Sequence, residues 1–189
     1  MPGQTRHFAT QHFAVLLAVL LMAPSVGRAE DAKDAPKLKK SELGSTRNVH
    51  SLGSTLLCGQ PSVDDFSKAK KRGIKTVISL RQPGEIDWDQ AGELKKLGLE
   101  FHRVGFRAPE TLTDEVFDRV RKLLKDAKDK PVLLHCGSAN RVGAVWAAHR
   151  VLDHKLSLEE ALQEARQVGL RTPGYEKRVR EYVNKQSRP

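Results

Sequence analysis

Cys136 is one of only two cysteines in the 189-residue chain. It stands in the stretch PVLLHCGSANRVGAVWAAH, where an apolar run ends on a His-Cys pair and a short loop of small residues leads to an arginine. Gly137, Ser138, Ala139 and Asn140 are small or tolerate tight turns, so their amides can converge on a common centre. A helical pattern opens at Val142, and inward N–H groups at a helix start cradle an anion. The same field favours a thiolate at Cys136. Arg141 adds a planar fork that matches an oxyanion. His135 is read as orienting the loop by hydrogen bonding rather than carrying protons. Taken singly, these residues are a buried thiol and a solvated helix start. Strand, cysteine, small-residue loop, arginine and helix in succession point instead to a nucleophile facing a bound anion.

Such a loop needs a strand to present it. STLLCG, IKTVISL, LEFHRVGF and PVLLHC read as strands. DDFSKAKKRG, ended by Gly73, DQAGELKKLG, ended by Gly98, and TDEVFDRVRKLLKDA, with Thr113 as cap and apolar Val116, Val120, Leu123 and Leu124, read as helices. Three more helical stretches cover 142–152, 157–168 and 174–185. This alternation predicts an α/β fold, a central, mostly parallel sheet flanked by helices. Ligands in such sheets sit at the carboxyl ends of strands, where the loop after PVLLH lies. Trp146 is expected in the core. His149 and His154, five residues apart, are expected on the surface.

The N-terminus reads as a secretory signal peptide over 1–29, with a basic start at Arg6, an apolar stretch from Phe13 to Met22 and small residues at Gly27 and Ala29. That stretch, about ten residues, is short of the ~20 a membrane span needs, so no stable span is expected after its removal. Residues 30–47 read as a flexible charged leader and 48–189 as one domain with a hydrophobic core. The location implied is periplasmic or secreted. The formal net charge is +10 for the chain and about +8 without Arg6 and Arg28, which favours anionic partners. Aromatic residues are sparse and no groove-reading motif is present, so nucleic acid is not an expected partner. No spacing of cysteines and histidines suggests a metal, and no cofactor is called for. Cys58 ends a strand on the sheet edge assigned to Cys136. It is a candidate redox partner for that thiol, or a small apolar residue at a strand end.

HCGSANRVGA resembles the phosphate loop of cysteine-dependent phosphatases of the dual-specificity and tyrosine type, with one difference in length. Four residues rather than five separate Cys136 from Arg141, the spacing of rhodanese-type sulfurtransferases. The resemblance is greatest to the bacterial phosphatase-like domains of the DUF442 group, related to the N-terminal part of beta-lactamase-hydrolase-like proteins. Their loop has the form Cys-x-Ser-Gly-x-Arg, and Ala139 stands where glycine is usual. LLCGQPSVDDFSKAKKRGIKTVISLR is similar to that group's Gly-Gln-Pro-Ser opening, helix and following strand, so the resemblance spans about residues 48 to 168.

What the resemblance implies is a cysteine-phosphatase fold and hydrolysis of phosphate monoesters, with Cys136 as nucleophile and Arg141 holding the phosphoryl oxygens. The substrate is then a phosphorylated, anionic protein or small molecule. Relatives take the leaving-group proton from an acid on the loop after the third strand. Here that loop is FRAPETLTDE, which makes Glu110 the first candidate and Asp114 the second. Asp114 also suits a helix start. The RQPGEIDWD loop, with Arg81, Glu85, Asp87 and Asp89, follows a strand too, and Arg81 is a possible substrate-binding residue. Val142 replaces the hydroxyl residue that often follows the arginine, leaving Ser138 to substitute for it. Two other readings stay open, a sulfurtransferase carrying a persulfide on Cys136 and an anion-binding module without turnover.

Overall fold

Residues 1, 3, 37–127 and 130–188 are described by the computed structural model. The expected signal peptide and the first part of the charged leader lie outside them, Met1 and Gly3 apart. Four parallel strands form the centre of a six-stranded sheet: β3 (Thr55–Cys58), β6 (Val132–His135), β4 (Thr76–Ser79) and β5 (Glu100–Arg103), in that spatial order. Two short strands, β1 (Lys39–Lys40) and β2 (His50–Leu52), extend it antiparallel beyond β3. β6 is central and buried along its whole length, as its unbroken apolar run requires.

Alternate strand residues feed two cores. On one face Leu56, Cys58, Val77 and Leu133 pack against Phe66 and Ala69 of α1 (Val63–Lys71) and Leu94 of α2 (Gln90–Lys96). On the other, Leu57, Ile78 and Leu134 meet α3 (Asp114–Asp126), α4 (Asn140–His154), α5 (Leu158–Val168) and α6 (Pro173–Gln186). The helix starts are chemically marked. Ser62 and Asp89 accept the Asp65 and Gly92 amides, Ser157 and Glu160 form a capping box, and Pro173 opens α6. α4 lies between the sheet and the other helices, and every residue from Arg141 to Arg150 is buried. Gly143 permits its closest approach, since a Cβ there would lie 2.7 Å from the Ala165 carbonyl oxygen.

Two expectations change. Residues 37–47 are not a loose leader: Lys39–Lys40 pair with β2, Leu43 is fully buried, and the Ser45 and Thr46 hydroxyls donate to Asp65 at 2.9 Å each. The folded unit therefore includes residues upstream of 48. His149 is not a surface residue either. It is 6% exposed, its Nδ1 lies 2.9 Å from Asp153, and its Nε2 lies 3.1 Å from Nε2 of His154. Burial, despite Asp153, pulls its pKa down to about 4. Trp146, 2% exposed, is core as expected.

Candidate active site

β6 delivers Cys136 to the carboxyl edge of the sheet, and the chain leaving β3 shapes the loop that follows. The Cys136 amide donates to the Cys58 carbonyl, the Gln60 amide to the Gly137 carbonyl at 3.3 Å, and the Asn48 side chain to the Ser138 carbonyl at 3.0 Å. With the two loop carbonyls tied outward, the Gly137, Ser138, Asn140 and Arg141 amides have no hydrogen-bond acceptor among the described residues. Unpaired N–H groups gathered at the start of a 15-residue helix are the makings of an anion cradle. Ala139 makes the reversal with φ 64°, the left-handed region, which accounts for the glycine usual there.

Asn140 holds the loop from below. Its Oδ1 accepts the Arg171 and Thr172 amides at 2.9 and 3.3 Å, and its Nδ2 donates to Thr172 Oγ1 at 2.7 Å. Gly169, with φ 142°, lies so close to Ala139 that a Cβ would sit 3.2 Å from the alanine methyl carbon. The Ser138 hydroxyl accepts from Arg171 Nη2 at 2.6 Å, which ties it to the α5–α6 turn.

Arg141 is 9% exposed and its guanidinium is fully oriented. Nη1 donates to the Leu80 and Phe106 carbonyls, and Nη1 and Nη2 grip Glu85 at 2.8 and 2.7 Å. This occupies the end of the fork. The side edge, Nε and the second Nη2 hydrogen, has no acceptor among the described residues and is the edge left for an oxyanion. Burial opposes the charge, but Glu85 and Cys136 outweigh it and raise the Arg141 pKa. Burial likewise opposes the Glu85 carboxylate, and Arg141 with the Gln82 amide overcomes it, lowering its pKa. Arg81 faces the same carboxylate at 3.6 Å and donates to Gln60 at 3.0 Å. Burial, and then the like charge of Arg141, lower its pKa.

His135 is fully buried below the loop, 2.9 Å from Gln90 Nε2 and edge-on to Phe66. Burial pulls its pKa down to about 3, so the ring is neutral. It supports the loop and carries no charge to it.

The two acid candidates separate. Asp114 is engaged by Lys185 at 2.7 Å and Arg178 at 3.3 Å, fastening α3 to α6. Lys185 holds its carboxyl below the usual range, so it serves there as a helix-to-helix ion pair. Glu110 is exposed on the short 3-10 turn Pro109–Thr111. Tyr175 connects that turn to the loop: its hydroxyl donates to the Arg107 carbonyl at 2.6 Å, and its ring packs edge-on to Phe106. Burial raises the Tyr175 pKa, Arg141 opposes, and the charges of Cys136, Glu85 and Glu110 add to the rise. Of the other carboxylates, Asp89 is the α2 cap and Asp87 is exposed.

Cys58 and Cys136 are both free and buried. Although β3 and β6 are neighbours, Cys58 packs with Phe66 and Leu133 on one face of the sheet and Cys136 with the α4 side on the other. The two thiols are not joined in this structure, and Cys58 is a core residue of its face. Among the described residues no helix is long and apolar enough to cross a membrane, and no cluster of three or more metal-ligating side chains occurs.

No protein-family model matches the chain. Among curated proteins it is similar to the dual specificity protein phosphatase TpbA of Pseudomonas aeruginosa, 23% identical over 158 residues, or 82% of this chain and 70% of TpbA. It is also similar to the beta-lactamase hydrolase-like protein of Xylella fastidiosa, 26% identical over 110 residues, which cover 55% of this chain and 25% of that much longer protein. A crystal structure of a DUF442 protein from Shewanella putrefaciens superposes with TM-score 0.64 at 18% identity, covering 76% of this chain and 95% of that one. TpbA in complex with pTyr superposes with TM-score 0.62 at 18% identity, covering 80% and 90%. The chain therefore has the fold of these cysteine-dependent phosphatases, and its sequence is similar to TpbA and to the beta-lactamase hydrolase-like protein.

Proposed function

We propose that the protein is an exported phosphatase that hydrolyses phosphate monoesters through a phosphocysteine. The observation that carries this reading is that the loop from Cys136 to Arg141 leaves four amides and one edge of Arg141 without an acceptor among the described residues, while Glu85 fixes the other edge. The Cys136 sulfur attacks phosphorus as the ester P–O bond breaks, and the equatorial oxygens lie against the amides and Arg141. The departing alcohol takes a proton, for which Glu110 is the candidate donor. Water then cleaves the S–P bond, releasing phosphate and restoring the thiolate. The pTyr bound to TpbA makes phosphotyrosine a natural first substrate. Export rests on the N-terminal pattern alone.

The test is phosphate release from an aryl phosphate under reducing conditions, beside thiocyanate formation from thiosulfate and cyanide. Release should vanish in Cys136→Ser and fall at least about a hundredfold in Arg141→Lys, which keeps the charge but not the fork. Glu110→Gln should slow alkyl phosphates more than nitrophenyl phosphate, whose leaving group needs little protonation. Thiocyanate without phosphate would assign sulfur transfer instead.

A further inference from the structure

Arg171 has no part in the chemistry above, yet it is built against the phosphate loop. Its backbone amide and that of Thr172 are both held by Asn140, the loop's own residue, and Gly169 seats the turn against Ala139. Its guanidinium donates to the Ser138 hydroxyl and the Gly169 carbonyl, and among the described residues it has no carboxylate partner. This sets it apart from its neighbours. Arg166 is paired with Glu176, Arg178 with Glu181 and Asp114, and Arg180 with Glu159 and Glu176. A charge left unneutralised on a fixed backbone beside an anion cradle is placed to meet a second anion. Beyond it opens a cavity of about 670 Å³, in whose wall Arg166, Arg171, Lys177 and Arg180 stand against Glu176 and Glu181.

We infer that the site takes a phosphoester bearing a second anionic group, which Arg171 holds while the first phosphoryl group lies in the loop. This rests on the phosphatase reading and narrows its substrate class. Arg171 is a specificity residue: it touches the substrate away from the reacting atoms. The turn carries it at the loop's outer face, so a single phosphate in the cradle leaves it solvated and two anions on one scaffold engage it.

The experiment uses phenyl phosphate and the 1,2-, 1,3- and 1,4-phenylene bisphosphates, which vary the reach between the two anions on a rigid ring. Calorimetry on the Cys136→Ser protein measures binding without turnover, and wild-type enzyme supplies kcat/KM for the same four compounds. At least one bisphosphate should bind about tenfold more tightly than phenyl phosphate, beyond the twofold expected from having two equivalent groups. Added to Cys136→Ser, Arg171→Gln should cut that preference below threefold, and Arg171→Glu should turn it into discrimination against the bisphosphates. Thermal melts of each variant check folding, and the preference is a ratio within one protein, so general loss of activity does not mimic the result. Phosphate release from phenyl phosphate with no bisphosphate preference, or a preference that survives Arg171→Gln, overturns this inference alone. Failure of wild-type enzyme to release phosphate from any of the four overturns the phosphatase reading and this one with it.

Discussion

Glu85 is the residue that turns Arg141 from a buried cation into a directed one. Among the described residues it is the only carboxylate on the fork, and it takes both Nη1 and Nη2. Glu85→Gln keeps the size and one acceptor but removes the charge, so kcat/KM should fall about tenfold or more. Glu85→Asp should recover part of the loss, and kinetics of both variants decide whether Glu85 positions Arg141. Ala139 poses a different question, because a left-handed alanine costs roughly 1–2 kcal/mol. Against that, its methyl group is fully buried, worth about 0.8 kcal/mol, and glycine would add roughly 0.5–1 kcal/mol of backbone entropy to lose on folding. These terms nearly cancel, which explains how alanine serves in glycine's place. Ala139→Gly should therefore shift unfolding stability by less than about 1 kcal/mol, while Ala139→Val, branched at a left-handed position in a packed site, should cost about 2 kcal/mol or more in urea titrations.

The elements around the loop are fixed largely by polar contacts that reach across sequence, and Asp65 shows how much one of them contributes. Lying on α1 and 1% exposed, it accepts from the Ser45 and Thr46 hydroxyls and from Lys68. Burial acts to raise its pKa, but the hydrogen bonds from Lys68, Thr46 and Ser45 outweigh this and bring it to about 2. A carboxyl depressed on folding stabilises the native state above its unfolded pKa, near 4, and that contribution disappears as pH falls toward 2. The linkage is worth roughly 2 kcal/mol. Unfolding free energies of wild type and Asp65→Asn should therefore differ most at neutral pH and converge between about pH 4 and 2. A difference that stays constant over this range would separate Asp65 from the acid sensitivity of the fold. The same element order explains why α4 tolerates a polar start. Asn140 and Arg141 are each consumed by tertiary bonds, to the α5–α6 turn and to the Glu85 loop.

At the scale of the whole molecule, what could be read from residue order was whatever neighbours in sequence carry together. Nucleophile, loop and arginine fall within six positions, and the four parallel strands are apolar runs bounded by helical periods, so both were visible. Glu85 lies 56 positions from Arg141, and only strand order β6-β4 brings its loop to the site. β1 and β2 escaped notice because two and three residues show no alternation. The His149–His154 contact escaped for another reason. Residues five apart on a helix diverge by about 140°, and the rings meet only because both are long and α4 ends there, at a left-handed Lys155. The most consequential misreading is the start of the domain, since charge density in residues 37–47 concealed a strand, a core leucine and the partners of Asp65. Burial of Leu43 alone is worth about 2 kcal/mol, and losing two hydroxyl donors leaves Asp65 short of hydrogen bonds inside the protein, at roughly 1–3 kcal/mol. A chain beginning at residue 48 should accordingly be about 3–5 kcal/mol less stable than one beginning at 37. Because Asn48 and the Gly59–Gln60 turn hold the loop carbonyls beside this segment, the shorter chain should also lose phosphate-release activity at temperatures where the longer one retains it. Equal denaturation midpoints for the 37 and 48 chains would return the segment to the role of a leader.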